Sequence, residues 1–412
     1  MNSGSMRNDG PTDQSAIKVD IVVHGRFHGF ALARALLAQG HDVVVHTNYP
    51  KSVVARFGVP PDNVRSFLTH GIAARAFNRM GRLEPRTLSE PALHRAFGLW
   101  AARSLRPETD LVYAFTGISE ELLRLPRSNP RQLRMIVRGS AHIREQARLL
   151  EEEEARLGIA IDRPSQWMID REEREYALAD QIVTLSNFAF ESFVVRGMAP
   201  ERLINNPLGV DTARFSSTST SDEARQKRII AGNPLNVLTV GTLSAQKGAA
   251  DLAAVASRLH NRVKFAFVGT AVWSELAPYF PRDAGTITLN SRVPEDELSR
   301  FYSLADIFVF PTIQDGFAAV LLQAAAAGLP IIATTNCSAP DFVVEGETGW
   351  IVPIRDPDAI VRRLIWCDEN RTALAQMARA ATAGSRPRTW DAMARELIAH
   401  YQRIQAETEV RD

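Results

Sequence analysis

The stretch IFVFPTIQDGFAAVLLQAAAAGLPIIAT, residues 307–334, decides the fold. IFVF is a short apolar run rich in strand formers, and a loop holding Asp315 and Gly316 follows it. An Ala-rich helical segment comes next, Gly328 stops it, and PIIAT is a second apolar strand. Strand, helix, strand in that order is the unit of a parallel sheet covered by helices on its faces. Upstream, LNVLTVG (235–241), AADLAAVASRLH (249–260), VKFAFVG (263–269) and GTITLN (285–290) extend the same alternation. VDIVVHG (19–25), FALARALLAQG (30–40) and VVV (43–45) show the pattern once already near the start of the chain. Because it restarts near residue 235, two doubly wound α/β units account for the length better than one large sheet.

The expected layout has a polar leader without fixed structure over residues 1–18, a first Rossmann-like domain over 19–205 and a second over 206–387. The join falls in NNPLGVDTARFSSTSTSDEARQ (205–226), where the Ser/Thr-rich run from Ser216 to Ser221 reads as a linker. The acidic run Glu151–Glu154 reads as a solvated helix face. In open parallel sheets the ligand crevice lies beyond the carboxyl ends of the strands, so two such units facing one another create a cleft between them.

Composition narrows the function classes. The chain has 412 residues, 45% of them hydrophobic, which argues for packed cores rather than disorder. Lys plus Arg number 48 against 47 for Asp plus Glu, so overall charge gives no reason to expect a nucleic-acid partner. Only Cys337 and Cys367 occur, which excludes a disulfide scaffold and a Cys-rich zinc site and fits a reducing, cytoplasmic setting.

Three segments follow strands as an anion site requires. VGTLSAQKG places Gly241 at a strand end and Lys247 with Gly248 just before a helix, so an ammonium and free amides can face one phosphate group. In the deciding stretch, Asp315 sits in the loop, Gly316 permits close backbone approach to a ligand, and Gln323 lies about one and a half turns inside a helix starting near Ala318. TTNCSAPDFVVEGETGWIVP (334–353) repeats the scheme, with Pro340 suited to a first helical position.

Together these residues resemble glycosyltransferase family 4, a retaining family of GT-B architecture: two Rossmann-like doubly wound domains facing each other across a cleft. The resemblance runs from about residue 180 to 390. It rests on Gly241, Leu243, Lys247 and Gly248, on Asp315, Gly316 and Phe317 with Gly328, Pro330, Ile331 and Ile332, and on the triplet Gly209–Asp211. RTWDAMARELIAHYQRI resembles the family's C-terminal helix, which implies that residues 388–412 cross back onto the first domain. The first unit matches more loosely around Gly25 and Gly29, but MIVRGSAHIREQARLLEEEE followed by REYALADQIVTLS is a fuller resemblance to a branch acting on bacterial surface polysaccharides.

The resemblance implies transfer of a sugar from a nucleotide-diphosphate donor to a glycan or lipid-linked acceptor, in lipopolysaccharide, capsule or exopolysaccharide synthesis. It implies His142, Lys247 and Asp315 as catalytic residues. Donor binding falls to Gly25, Gly29, Gly241, Thr242, Gly316, Phe317 and Gln323, and the acceptor side to Arg138 and His142. No cofactor is expected, and no metal, because no Asp-x-Asp motif occurs near the cleft loops and Lys247 supplies the cation. The sequence departs from the family in having Asp315 and Gln323 where two Glu residues seven positions apart are common, and Thr242 where Arg is common. Exchanging Glu for Gln at a ribose contact costs roughly 1 kcal/mol, about tenfold in affinity. The same departures motivate the competing expectation, a weak or inactive nucleotide-sugar-binding partner protein.

Residues 51–106 carry ten basic side chains (Lys51, Arg56, Arg65, Arg75, Arg79, Arg82, Arg86, Arg95, Arg103, Arg106) and three acidic ones (Asp62, Glu84, Glu90). Phe67, Phe77, Met80, Leu83, Phe97, Leu99 and Trp100 are interleaved among them. The pattern suits peripheral contact with an anionic membrane on its inner face.

Overall fold

The computed structural model describes residues 16–80, 86–276, 278–279, 287–384 and 388–410. Two all-parallel sheets organise them. The first has seven strands, β1 (Lys18–Val23), β2 (Asp42–Thr47), β3 (Val64–Ser66), β4 (Leu111–Phe115), β5 (Leu133–Val137), β6 (Gln181–Thr184) and β7 (Leu203–Asn205), in the order β3-β2-β1-β4-β5-β6-β7. The second has six, β8 (Leu235–Leu243), β9 (Val263–Ala271), β10 (Ile287–Asn290), β11 (Ile307–Phe310), β12 (Ile331–Thr334) and β13 (Gly349–Val352), in the order β10-β9-β8-β11-β12-β13. Strands β4, β5 and β11 are buried at every residue. Helices cover both faces of such a sheet, so its strands are continuous apolar runs rather than alternating ones.

Helices named below are α1 (Gly29–Ala38), α2 (Leu68–Met80), α3 (Ile143–Leu157), α4 (Gln166–Leu178), α5 (Ser219–Ile230), α6 (Ala249–Leu259), α7 (Glu295–Leu304), α8 (Ala319–Ala326) and α9 (Trp390–Glu409). Strand order reverses direction between β1 and β4 in one sheet and between β8 and β11 in the other. The loops after those four strands face a crevice, which is where ligands of such sheets bind.

Helix α9 lies against α1 in the first domain: Gln39 Nε2 donates to the Asp391 carbonyl at 2.9 Å, and Arg131 pairs with Glu409 at 2.9 Å. Where the chain crosses back, Val210 N donates to the Arg388 carbonyl at 2.8 Å. A Cβ on Gly209 would stand 2.3 Å from Trp390 N, so only glycine fits this crossing.

Three expectations change. Lys18 is the first residue of β1 and Ile17 is buried, so the leader is shorter than 1–18, and its residues 1–15 lie outside the described residues. The Ser216–Ser221 run is not a slack linker. Thr218 caps α5 by accepting from Ser221 N at 3.2 Å while Ser221 Oγ accepts from Thr218 N at 2.9 Å. Hydroxyl residues favour helix starts for the same reason they favour turns, a short side chain that hydrogen-bonds nearby backbone.

The acidic run is the third. Glu153 is fully buried, accepting from Arg156 Nη2 at 2.6 Å and from Arg355 Nε of the second domain at 2.9 Å. Arg355 also reaches Glu152 at 2.9 Å, and Arg156 pairs with Asp251 at 2.8 Å. Half of the run therefore clamps the two domains together.

In 51–106, Phe97 is fully buried, and Phe67 stacks on Trp100 with centroids 5.2 Å apart. These aromatics face the core. Leu68, Ile72 and Leu99 are exposed, and Met80 and Leu83 lie outside the side chains described. No helix among the described residues is long and apolar enough to cross a membrane.

Candidate active site

A cleft of about 1190 Å³ separates the domains at the carboxyl ends of the strands. On its second-domain side, β8 runs through Gly241 and Thr242 to Leu243 and passes into a tight turn over Ala245–Lys247. Gly248 has φ +70°, and a Cβ there would stand 1.8 Å from the Pro311 carbonyl oxygen, so glycine lets the β8 and β11 loops touch. That contact brings Lys247 to Asp315, Nζ to Oδ2 at 2.5 Å. Asp315 Oδ1 accepts from Phe317 N at 3.2 Å, which fixes the carboxylate between the ammonium and the start of α8. Gly241, Thr242, Lys247, Asp315 and Phe317 together line a recess of about 150 Å³. Around Gly241 (φ +141°) nothing lies within 4 Å of a Cβ position, so its backbone is open to a ligand.

Gln323 faces the main cleft instead. Its Oε1 accepts from Tyr302 Oη at 2.9 Å. Phe317 borders both spaces.

The first-domain wall is built from the loops after β1, β4 and β5. Gly25 (φ +89°) turns the chain out of β1 and donates its N–H to Asn48 Oδ1 at 2.9 Å. Next to it, Phe27 adopts φ +32° and is 63% exposed, an outlier for a bulky residue. His28 is buried, bonds Tyr113 Oη at 3.0 Å and is pushed down to about 3 by burial, so its ring is neutral. His24 is likewise pushed down to about 3, first by burial and then by His94 and His70, and its Nδ1 has no hydrogen-bond partner among the described residues. After β5, Arg138 pairs with Glu172 at 3.0 Å and donates to Gln146 Oε1 at 2.6 Å. Ser140 Oγ donates to Gln314 Oε1 of the second domain at 2.7 Å.

A protein-family model described as "Glycosyl transferases group 1" matches residues 234–370, which run from β8 past β13. Two solved structures match nearly the whole chain. Alr3699/HepE of Anabaena, in complex with UDP and glucose, has TM-score 0.65 at 15% identity and covers 94% of this chain and 99% of its own. WaaG, a glycosyltransferase involved in lipopolysaccharide biosynthesis, has TM-score 0.58 at 15% identity, covering 92% and 98%.

The chain has the GT-B fold, and its second domain matches the group 1 glycosyltransferase model.

Among curated relatives, the GDP-mannose-dependent alpha-(1-6)-phosphatidylinositol monomannoside mannosyltransferase of Mycolicibacterium smegmatis is 28% identical over 225 residues, 52% of this chain and 57% of that protein. The chain spans about half the length of the curated relatives it matches.

In this GT-B protein three expected site residues take other places. His142 is 5% exposed and caps α3, its Nδ1 accepting from Arg144 N at 3.2 Å. Its ring packs against Tyr176 and Phe193, with centroids 5.0 and 4.9 Å away, and burial pushes it down to about 4. Arg138, Gly139 and Ser140 of the same segment line the cleft, whereas His142 does not.

Gly29 opens α1 in the core, where a Cβ would lie 3.2 Å from Val23 Cγ1, so it serves helix–strand packing rather than donor contact. Gly316 meets the other domain. A Cβ there would stand 2.2 Å from Ser140 Cα, and its carbonyl accepts from Ser186 Oγ at 2.6 Å. The close approach is by backbone of the facing domain.

Residues the sequence did not single out complete the cleft. Arg26 pairs across it with Glu295 at 2.9 Å, and Arg214 reaches the same carboxylate at 3.0 Å. Arg34, Arg56 and Phe57 line the first-domain mouth. Of these, Arg56 carried a sequence signal, the basic excess of residues 51–106; Arg34 and Phe57 carried none.

Proposed function

We propose that this protein transfers a sugar from a nucleoside-diphosphate donor to a hydroxyl of a glycan or lipid-linked acceptor, with retention of configuration and without a divalent cation, in the synthesis of a surface polysaccharide. The observation that carries the reading is the Lys247 ammonium at the end of a switch-point strand, beside the open backbone of Gly241 and the loop before α8.

In the proposed reaction, Lys247 and nearby amides stabilise negative charge growing on the leaving diphosphate. The bond from the anomeric carbon to phosphate oxygen breaks, the acceptor oxygen bonds to that carbon on the same face, and the acceptor proton passes to the diphosphate. The carboxylates near the reacting space are engaged: Asp315 by Lys247, and Glu172 by Arg138 and by Tyr176 Oη at 2.6 Å. This supports direct front-face attack over a covalent sugar–enzyme intermediate. Gln323 would meet a ribose hydroxyl through its remaining amide hydrogens, because Tyr302 already uses its carbonyl oxygen.

Melting of the protein with UDP, GDP and ADP identifies the base, and release of that nucleoside diphosphate from its sugar donors with EDTA present tests the reaction. Stabilisation followed by acceptor-dependent release is the expected result. Stabilisation without transfer or hydrolysis would favour the second reading, a nucleotide-sugar-binding partner protein, to which the closed Lys247–Asp315 pair lends support. Loss of activity in EDTA would overturn metal independence. Peripheral membrane contact, if the acceptor is lipid-linked, falls to the exposed Leu68 and Ile72 one turn apart on α2 with Arg75 nearby. Co-sedimentation with anionic vesicles that persists in a Leu68→Ser, Ile72→Ser variant would remove that face from the proposal.

A further inference from the structure

We infer that the first-domain mouth of the cleft is an oxyanion subsite, in which Arg34 and Arg56, beside Arg26, hold a phosphate or carboxylate of an acidic acceptor; this rests on the glycosyl-transfer reading. Three observations converge on it. Between His24 and Phe57, the cleft-lining residues include three arginines and no aspartate or glutamate.

The arginines form one patch. The Arg26 guanidinium lies 4.2 Å from the Phe57 ring centroid. Arg34 Cδ stands 2.7 Å from the place a Cβ on Gly58 (φ +83°) would take, so Gly58 gives the Arg34 stem room against the turn that also carries Arg56.

Arg26 is paired with Glu295 at 2.9 Å, and the other two arginines of the patch are unneutralised. Neither guanidinium of Arg34 and Arg56 makes a hydrogen bond or ion pair among the described residues. Elsewhere in the same cleft, Arg138 meets Glu172 at 3.0 Å, Arg163 meets Glu154 at 3.4 Å and Arg214 meets Glu295 at 3.0 Å. Arg292, on the second-domain rim, likewise has no hydrogen-bond or ion-pair partner among the described residues. Like charges gathered in a concave wall repel one another, the more so where water is thinned. A ligand oxyanion relieves that repulsion, and the guanidinium fork matches phosphate and carboxylate with paired hydrogen bonds.

The third observation is Phe27. Its φ of +32° holds an exposed ring in the cleft, stacked on Phe115 with centroids 5.5 Å apart. Backbone strain of this kind persists where surrounding structure imposes it. It offers a flat apolar platform next to the arginines, suited to the face of a sugar ring.

The test uses the full chain and three probes: methyl glucoside, its 6-phosphate, and methyl glucuronide, with binding followed by ligand-observed NMR. The anionic probes should bind about tenfold more tightly than the neutral one, the effect of a charge-assisted pair. An Arg34→Ala, Arg56→Ala variant, checked for an unchanged melting temperature, should lose that preference. Arg34→Lys, Arg56→Lys should keep most of it, and Lys247→Ala all of it. Equal binding of neutral and anionic probes, or a preference surviving in the double alanine variant, overturns the subsite. Loss of the preference in Lys247→Ala would do so too, by moving the anion to the donor side. The tighter of the two anionic probes tells phosphate from carboxylate. An anion preference in a protein that transfers no sugar would sink the glycosyl-transfer reading and leave the subsite standing.

Discussion

The two walls of the cleft solve opposite electrostatic problems. On the second-domain wall the candidate site residues have found partners: Lys247 holds Asp315, Asp315 holds Phe317 N, and Gln323 holds Tyr302. On the first-domain mouth Arg34 and Arg56 stand without a counter-ion among the described residues. A wall of paired groups is stable when empty and must exchange a partner when ligand arrives. A wall of unpaired cations gains from the first oxyanion that reaches it. The second-domain wall is therefore expected to discriminate by geometry and the first-domain mouth by charge.

The largest effect that sharpens this contrast is expected at Lys247. Lys247→Ala should lower kcat/KM by about 30- to 150-fold, which corresponds to 2–3 kcal/mol of lost charge-assisted hydrogen bonding. Steady-state kinetics checks it, and unchanged turnover would reduce the Lys247–Asp315 pair to a structural contact.

A somewhat smaller effect is expected away from both walls, at the clamp between domains. Glu153→Gln leaves Arg156 and Arg355 without their buried carboxylate and should destabilise the chain by about 1–3 kcal/mol, with donor KM little changed. Calorimetric melting reads this directly. A changed donor KM at constant stability would mean that the clamp sets the cleft geometry rather than simply holding it.

The smallest effect belongs to His142. His142→Asn keeps a capping oxygen but loses the ring packed on Tyr176 and Phe193, so stability should fall by about 1 kcal/mol at pH 7.5. Because the folded His142 is pushed down to about 4, its contribution is fully present above its unfolded value near 6.5 and is lost as pH falls from there toward 4. The gap between variant and parent should therefore narrow in denaturant titrations at pH 5. A selective fall in transfer, with stability intact, would return His142 to the acceptor wall.

Much of the second-domain recess could be read in advance. Gly241, Lys247, Gly248 and Asp315 follow strands at short spacings, and a loop that short leaves few directions for its side chains. The errors share a different cause. His142 resembles a site residue by its flanks, yet Tyr176 and Phe193, 34 and 51 positions later in sequence, fill the space its ring faces. Gly316 was placed correctly before a helix, but its neighbour is Ser140 of the other domain. Half of the acidic run meets Arg355, some two hundred residues on.

Apolar runs, helical spacing and Gly stops by themselves determined two parallel-sheet units and the strand-end loops where chemistry gathers, because these signals depend on the covalent step from one residue to the next. Which loop residues face the cleft, which charges cancel and which stay open was decided only when the two units came together. Those outcomes depend on contacts between segments far apart in the chain, which no local spacing encodes.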